Sequence, residues 1–277
     1  MSDRERPVIA VIPAHNEEDL LGGLLDQVLV QEYDGVYVLD DASTDATVEV
    51  ASSYGSDVNL IVGIENVGSG ANRNRIIPKL GSSAIIHFID ADVRLNSDRN
   101  PERIREIIPT SRIGFIGGLI RNTDGSQLQW NYGPAFSLPQ MLSAWAYSGI
   151  NRLARTDPVA ARALRSSLNH SKLMEQWPDL QKEPVAREVF WACEGNMAIP
   201  SNIFASVGGY DPSLRYHEVM ELAMRLEQNG LKRRFDPSVD VTHQTFEWLN
   251  KGDTSDFWKA LYKIAGKMGV REFVRGV

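Results

Sequence analysis

The chain has 277 residues, of which 43% are hydrophobic, and carries a formal net charge of −7. That apolar content suffices for one large α/β domain, or one domain with an appended lobe, and excludes a disordered chain. The acidic balance excludes a generic nucleic-acid coat, which needs a basic surface against phosphate, and the single cysteine, Cys193, can build neither an internal disulfide nor a thiolate metal site. Met1 to Arg6 is charged and leads straight into a strand without an apolar signal region, and no apolar run approaches membrane-spanning length. The expectation is a cytoplasmic protein with no transmembrane segment, leaving room for peripheral contact with the inner face of a membrane.

The first element is a short apolar strand, Pro7 to Pro13, followed by a helical pattern from Glu17 to Val30 with Leu20, Leu21, Leu24, Leu25, Val28 and Leu29 on one face. Gly35 to Leu39 reads as a second strand, and Asp40 to Thr47 offers Ser43, Thr44 and Asp45 as N-caps of a helix running to about Tyr54. Val58 to Val62 reads as a third strand, Gly70 to Ile77 as a helix stopped by Pro78, and Ala84 to Ile89 as a fourth strand. Strands alternating with helices imply a parallel sheet with right-handed crossovers, whose ligands gather at the carboxyl ends of the strands. The polar segments Pro13 to Glu17, Asp40 to Asp45, Asn66 to Asn74 and Asp90 to Asp92 would then share one edge.

Ile113 to Ile120 is a further strand. Residues 128 to 187 hold aromatics, prolines and a long helical stretch, and read as an insertion covering that edge. Trp191 to Pro200 returns to strand character, and Glu218 to Gln228 is an amphipathic helix closed by Asn229-Gly230. The tail from Phe257 to Arg275 is helical in pattern and basic. Its expected packing is through Trp258, Leu261, Tyr262 and Ala265, with Lys259, Lys263, Lys267, Arg271 and Arg275 turned to water.

The chemistry concentrates where an apolar strand ends in Asp90-Ala91-Asp92. Residues i and i+2 of an extended chain project to one side, so the two carboxylates face one ligand. Paired hard oxygens suit a divalent cation such as Mn or Mg, which in turn holds a diphosphate.

The order of motifs is Ile12-Pro13-Ala14-His15-Asn16-Glu17-Glu18, Asp40-Asp41-Ala42-Ser43-Thr44-Asp45, Asn66-Val67-Gly68 with Arg73-Asn74, and Asp90-Ala91-Asp92. It continues with Glu194-Gly195-Asn196, Val207-Gly208-Gly209-Tyr210-Asp211, Glu218-Val219-Met220-Glu221 and His243. This ordered set resembles the family 2 glycosyltransferases of the GT-A fold. The resemblance implies a Rossmann-like, mostly parallel α/β sheet flanked by helices, with a largely helical insertion over the active edge. Residues 1–125 would form the nucleotide-sugar half, 126–188 an acceptor-side cover, 189–247 the acceptor-binding half of the same domain, and 248–277 a helical tail.

By the same resemblance Pro13 and Ala14 offer backbone to a nucleotide base and Glu17 reaches the ribose. Asp41 would accept the imide N–H of uracil, tilting the donor towards a UDP-sugar, although guanine also presents N–H donors. Arg73 would face the base and diphosphate, Asp90 with Ala91 the ribose side, and Asp92 the metal, joined by His243. Trp191, Glu194, Gly195 and Asn196 would floor the acceptor pocket. The implied reaction displaces a nucleoside diphosphate from the anomeric carbon by an acceptor hydroxyl, usually with inversion. The acceptor's identity and the oligomeric state stay open.

One position departs from the pattern. The family's base is the aspartate of a Glu-Asp pair, and here that position is Val219, which cannot take a proton. Glu218 is the nearest replacement, with Glu194 and Glu221 behind it, although a carboxylate at a helix N-terminus is held a weak base by the dipole. The substitution keeps open a protein that binds nucleotide sugar without turnover. A nucleotidyltransferase on a related fold is disfavoured because the first strand lacks a Gly-rich basic loop, and a dinucleotide-binding oxidoreductase because no G-x-G-x-x-G follows it.

Overall fold

The computed structural model describes residues 6–108, 112–135, 137–168, 172–245 and 254–269. β1 (Val8–Ala14) is buried along almost its whole length, as a central strand covered on both faces must be. α1 (Leu21–Leu29) buries Leu21, Leu24, Leu25 and Val28 at helical spacing. It starts four residues later than the pattern suggests, because Glu17 to Leu20 form a turn in which the Leu21 amide donates to the Glu17 carbonyl. β2 (Gly35–Asp40), α2 (Thr47–Ser52), β3 (Asn59–Ile61), α3 (Ser69–Asn74) and β4 (Ile85–Ile89) complete the expected alternation.

Past β4 the chain forms two elements that apolar periodicity did not announce, β5 (Val93–Leu95) and α4 (Asn100–Ile107), before β6 (Ile113–Arg121). The insertion consists of β7 (Tyr132–Gly133), α5 (Leu138–Ala154), α6 (Pro158–Leu168) and α7 (Lys172–Glu175), and the chain returns through β8 (Arg187–Glu188). The single strand expected over Trp191 to Pro200 is broken into β9 (Trp191–Ala192) and β10 (Asn196–Pro200), with Cys193 to Gly195 turning between them. α8 (Ser201–Ser206), α9 (Glu218–Gln228), β11 (Lys232–His243) and α10 (Thr254–Met268) follow.

The main sheet runs β3-β2-β1-β4-β10-β6-β11-β5, with β8 pairing β11. β1, β2, β3 and β4 are parallel, β10 is antiparallel to both β4 and β6, and β11 runs parallel with β6. The sheet is mostly parallel, as expected. The reversal at β10 threads a strand from the second half of the chain between two strands of the first, so the halves share one sheet. Alternate residues sort to its two faces. Ala10, Ile12, Val36 and Val38 pack with α1, while Ile9, Val11, Ile86 and Phe88 belong to the core that takes in Phe204, Leu222 and Leu226. Tyr147 and Trp177 of the insertion, stacked with centroids 5.2 Å apart, join that second core.

A polar pin crosses the sheet interior. The fully buried Asn196 amide donates to the Leu119 and Val239 carbonyls, both at 3.0 Å, which fixes its Oδ1 as an acceptor. His87 Nε2, 2.9 Å away, therefore carries the proton, and its Nδ1 accepts from the Tyr33 hydroxyl at 2.8 Å. Burial pushes the His87 pKa down to about 4, in keeping with this neutral tautomer. The Asn196 side chain fits because residue 118 is glycine, where a Cβ would lie 2.2 Å from Asn196 Nδ2.

The tail helix differs from expectation in part. Leu261 packs as expected and Lys259 and Lys263 are exposed, but among the described side chains Ala260 and Ile264 are the buried ones, Tyr262 is 82% exposed, and the half-exposed Lys267 pairs with Asp211 at 2.7 Å and Glu221 at 2.6 Å. The side chain of Trp258, and Arg271 and Arg275, lie outside the described residues.

Asn196→Ala strands the His87 N–H and two buried carbonyls. It is expected to cost about 2–4 kcal/mol in urea unfolding, and a loss under about 1 kcal/mol would contradict the pin.

Candidate active site

The carboxyl ends of β1, β2 and β4 bring the first two polar loops and the Asp-Ala-Asp segment to one edge, and cross-loop hydrogen bonds fix them there. Asn16, at a positive φ of 58°, donates its amide to Ser43 Oγ and accepts from the Thr44 amide at 2.8 Å. The Glu17 amide donates to Thr47 Oγ1 at 2.8 Å, and Glu18 accepts from the Ala46 amide at 2.7 Å. The Ala14 carbonyl accepts from the Asp41 amide at 2.8 Å. Pro13 and Glu17 stay half-buried at the rim, while the Ala14 side chain is buried.

Asp41, expected to receive a uracil N–H, is differently engaged. Its two oxygens accept the Val67 and Gly68 amides, both at 2.9 Å, and it is only 4% exposed. As it stands, Asp41 holds the loop between β3 and α3. Arg215 grips that loop from the other side, donating to the Asn66 side chain at 3.1 Å and the Asn66 carbonyl at 3.0 Å.

Arg73 lies on α3 and is buried, contrary to a solvated helix charge. Its guanidinium bonds Asp90 Oδ1 at 2.5 Å and the Ser69 hydroxyl, and lies over the Phe88 ring. Burial would lower its pKa, but Asp90, Tyr210, Glu194 and Glu218 outweigh that and raise it. Asp90 is seated by Gly195, whose carbonyl accepts the Asp90 amide, and a Cβ at residue 195 would lie 2.4 Å from Asp90 Oδ2. The buried Ala91 separates the two aspartates.

Asp92 faces the end of β11. Its Oδ1 lies 3.4 Å from His243 Nε2, and Thr245 Oγ1 donates to its Oδ2 at 2.5 Å. His243 Nδ1 donates to the Thr245 carbonyl at 2.6 Å, which turns Nε2 towards Asp92, the ring orientation a metal-ligating imidazole takes. Ligand atoms of Asp90, Asp92 and His243 all fall within 4.8 Å of one another. Two carboxylates and an imidazole suit a divalent cation such as Mn or Mg. Burial and then the like charge of Asp90 push the Asp92 pKa up, a strain that a bound cation would relieve.

The profile of glycosyl transferase family 2 matches residues 9–162, more than half of the chain. The chain belongs to glycosyl transferase family 2. It is 25% identical over 250 residues to the N-acetylglucosaminyl-diphospho-decaprenol L-rhamnosyltransferase of Mycobacterium tuberculosis (strain ATCC 25618 / H37Rv), covering 86% of this chain and 75% of that one. It is 33% identical over 96 residues to the poly(ribitol-phosphate) beta-glucosyltransferase of Bacillus spizizenii, covering 32% of this chain and 15% of the relative. Its fold matches S. aureus TarS 1–349 in complex with UDP-GlcNAc at a TM-score of 0.63 and 15% identity, over 95% of this chain and 66% of that one. It also matches GalNAc-T7 with UDP, GalNAc and Mn2+ at a TM-score of 0.59 and 15% identity, over 94% of this chain and 48% of that one. The chain thus spans less than two thirds of either structural neighbour.

In this glycosyltransferase three carboxyls were candidates for a base, and the structure separates them. Glu221 is 1% exposed and committed to Arg225 at 2.6 Å and Lys267, which makes it structural. Glu194 follows the β9 turn, where burial raises its pKa and Arg73 opposes the rise. Glu218 opens α9 after His217, which adopts the left-handed conformation, and packs against α3 where a Cβ on Gly70 would lie 3.1 Å from its Cγ. Burial first, then Glu194, raise the Glu218 pKa to about 7. The helix N-terminus was expected to keep it a weak base; desolvation wins instead. Val219 turns into the main core beside Leu222 and Ala223.

Two acceptor-floor assignments are corrected. Asn196 is spent on the sheet pin, and Trp191 is a buried core residue, edge-on to Trp177 and lying against Gly133. Gly195 and Glu194 stay at the site. Sequence reading did not find Arg215, Thr245 or Ser69. Gly68-Ser69-Gly70 was the available signal for the last, since small residues mark a close approach.

The raised Glu218 pKa carries a stability consequence. A carboxyl ionising near 4.5 when unfolded and near 7 when folded favours the native state fully below 4.5, and that contribution is lost as pH rises through 7. Glu218→Gln is therefore expected to be more stable than the wild type at pH 8, by about 1–3 kcal/mol in urea unfolding. A lower stability there would contradict a desolvated Glu218.

Proposed function

We propose that this glycosyltransferase moves a sugar from a UDP-sugar to an acceptor hydroxyl, with inversion, and that it depends on Mn or Mg. The observation that carries the reading is the Asp90, Asp92 and His243 cluster, joined through Arg73 to a buried carboxyl, Glu218, whose pKa lies near neutrality. Asp92 and His243 would hold the cation, with Asp90 beside them under the hold of Arg73. Such a cation, when bound, supplies charge neutralisation to the leaving diphosphate.

Glu218 is the base. It takes the acceptor hydroxyl's proton as the new bond to the anomeric carbon forms and the bond to the diphosphate oxygen breaks, a single displacement that inverts the centre. A pKa of about 7 leaves about half of it ionised at neutral pH and makes it a stronger acceptor than a solvated glutamate. Arg73 adds fixed positive charge on the donor side, and Pro13, Ala14 and Glu17 line the rim where a base and ribose would lie. Support for uridine comes from the neighbours in complex with UDP-GlcNAc or UDP. Residues 1–125 would carry the donor, 126–188 and 189–247 the acceptor side, and 248–277 the helical tail.

The test incubates the protein with MnCl2 or MgCl2 and a panel of nucleotide sugars and follows nucleoside diphosphate release. Release should require the cation, stop with EDTA, and fall at least about a hundredfold in Asp92→Ala. Metal-independent release, pyrophosphate exchange, or tight binding with no turnover on any acceptor would overturn the reading.

A further inference from the structure

α5 has two unlike faces. Ser143, Tyr147 and Ile150 are buried against the body of the protein, and Tyr147 donates its hydroxyl to the Gln129 carbonyl at 2.8 Å. The opposite face carries Leu138, Leu142, Trp145, Ala146 and Gly149, all exposed, with Trp145 at 77% and Leu142 at 61%. At 100° per residue these five positions fall within an arc of about 100°. Three turns of helix thus present leucine, leucine and tryptophan to water with no charged residue among them.

The charge around this stripe is as one-sided as its hydropathy. Arg152 continues the stripe and Arg155 follows it, both exposed. Residues 138–168 expose Arg152, Arg155 and Arg162 against one carboxylate, Asp157, in a chain of net charge −7, while Arg165 is buried against the Met174 and Trp177 carbonyls. Tryptophan at the edge of an apolar stripe with arginines at its end is the pattern of a helix lying in the headgroup region of a bilayer, where rings and guanidinium groups meet the polar layer. A docking surface for a protein partner would not need the cations to gather at one end, whereas an anionic lipid surface attracts each of them by about 1 kcal/mol.

The stripe also lies on the flank that leads to the proposed base. Met141, on α5, packs against the cluster of Leu214, Met224, Ala260 and Ile264, together with Tyr216, just before Glu218. α10 in that cluster adds Lys259 and Lys263 on its exposed side.

We propose that the exposed face of α5, ending in Arg152 and Arg155, seats this glycosyltransferase on an anionic lipid bilayer. The inference stands on α5 and does not need the sugar-transfer chemistry; with it, the acceptor side would face the lipid headgroups.

The experiment uses the full chain and sedimentation with vesicles of phosphatidylcholine alone or mixed with phosphatidylglycerol. The wild type should bind the anionic vesicles and lose most of that binding at high salt. Leu142→Glu with Trp145→Glu, and separately Arg152→Glu with Arg155→Glu, should each reduce the bound fraction about tenfold or more. Circular dichroism melting keeps lost binding distinct from unfolding, and nucleotide binding reads the donor site separately. Wild-type binding by both double variants, or no preference for anionic vesicles, overturns the proposal. So does a wild-type dimer in size-exclusion chromatography that the double variants abolish without vesicle binding, because the stripe then faces a second copy.

Discussion

Arg73 is 1% exposed, and a guanidinium out of water is tolerated only among anions and hydrogen-bond acceptors. Much of the site meets that demand. Asp90 from the end of β4 bonds it directly, while Glu194 from the β9 turn and Glu218 from α9 stand close enough to raise its pKa. Segments far apart in the chain are thereby drawn to one point, and two glycines make the approach feasible. Gly70 admits Glu218 against α3, and Gly195 admits Asp90 under the β9 turn. A side chain at residue 195 would displace the Asp90 carboxylate that Arg73 holds, and one at residue 70 would press on Glu218 and Tyr210.

The same burial sets the chemistry. One cation cannot fully compensate three carboxyls in a dry site, so Glu194 and Glu218 are both pushed towards protonation, and Asp92 is raised by its own burial and by Asp90. At Asp92 this creates a need for external positive charge, which a divalent cation between Asp92 and His243 would meet. At Glu218 it yields a carboxyl able to take a proton near neutrality. The side chain of Val219 turns into the core, and its neighbour Glu218 is the carboxyl proposed as base.

Much of the donor edge was readable in the sequence because it depends on local pattern. β1, β2 and β4 are apolar runs, α9 begins at Glu218 and ends before Asn229-Gly230, and Asp90 and Asp92 follow a strand. What could not be read depends on partners distant in sequence. Asp41 is engaged by the Val67 and Gly68 amides, Asn196 by Leu119 and Val239, and Lys267 by Asp211 and Glu221. A short motif records residue type but not which of its oxygens is already used. Trp191 was misplaced for a related reason, since a ring suited to stacking on a sugar is equally suited to stacking in a core. β5 and α8 were missed because elements of three and six residues carry too few positions to show a period.

The proposed chemistry needs Glu218 to be a desolvated carboxyl that takes the acceptor's proton. The most direct measurement is the pH dependence of kcat with saturating donor, cation and acceptor. Turnover should rise with pH through a midpoint near 7, and the midpoint should move lower in Glu194→Gln, where the second cause of the shift is removed. Glu218→Gln should abolish the ascending limb together with most of the rate. Wild-type turnover and an unchanged profile in Glu218→Gln would contradict the account.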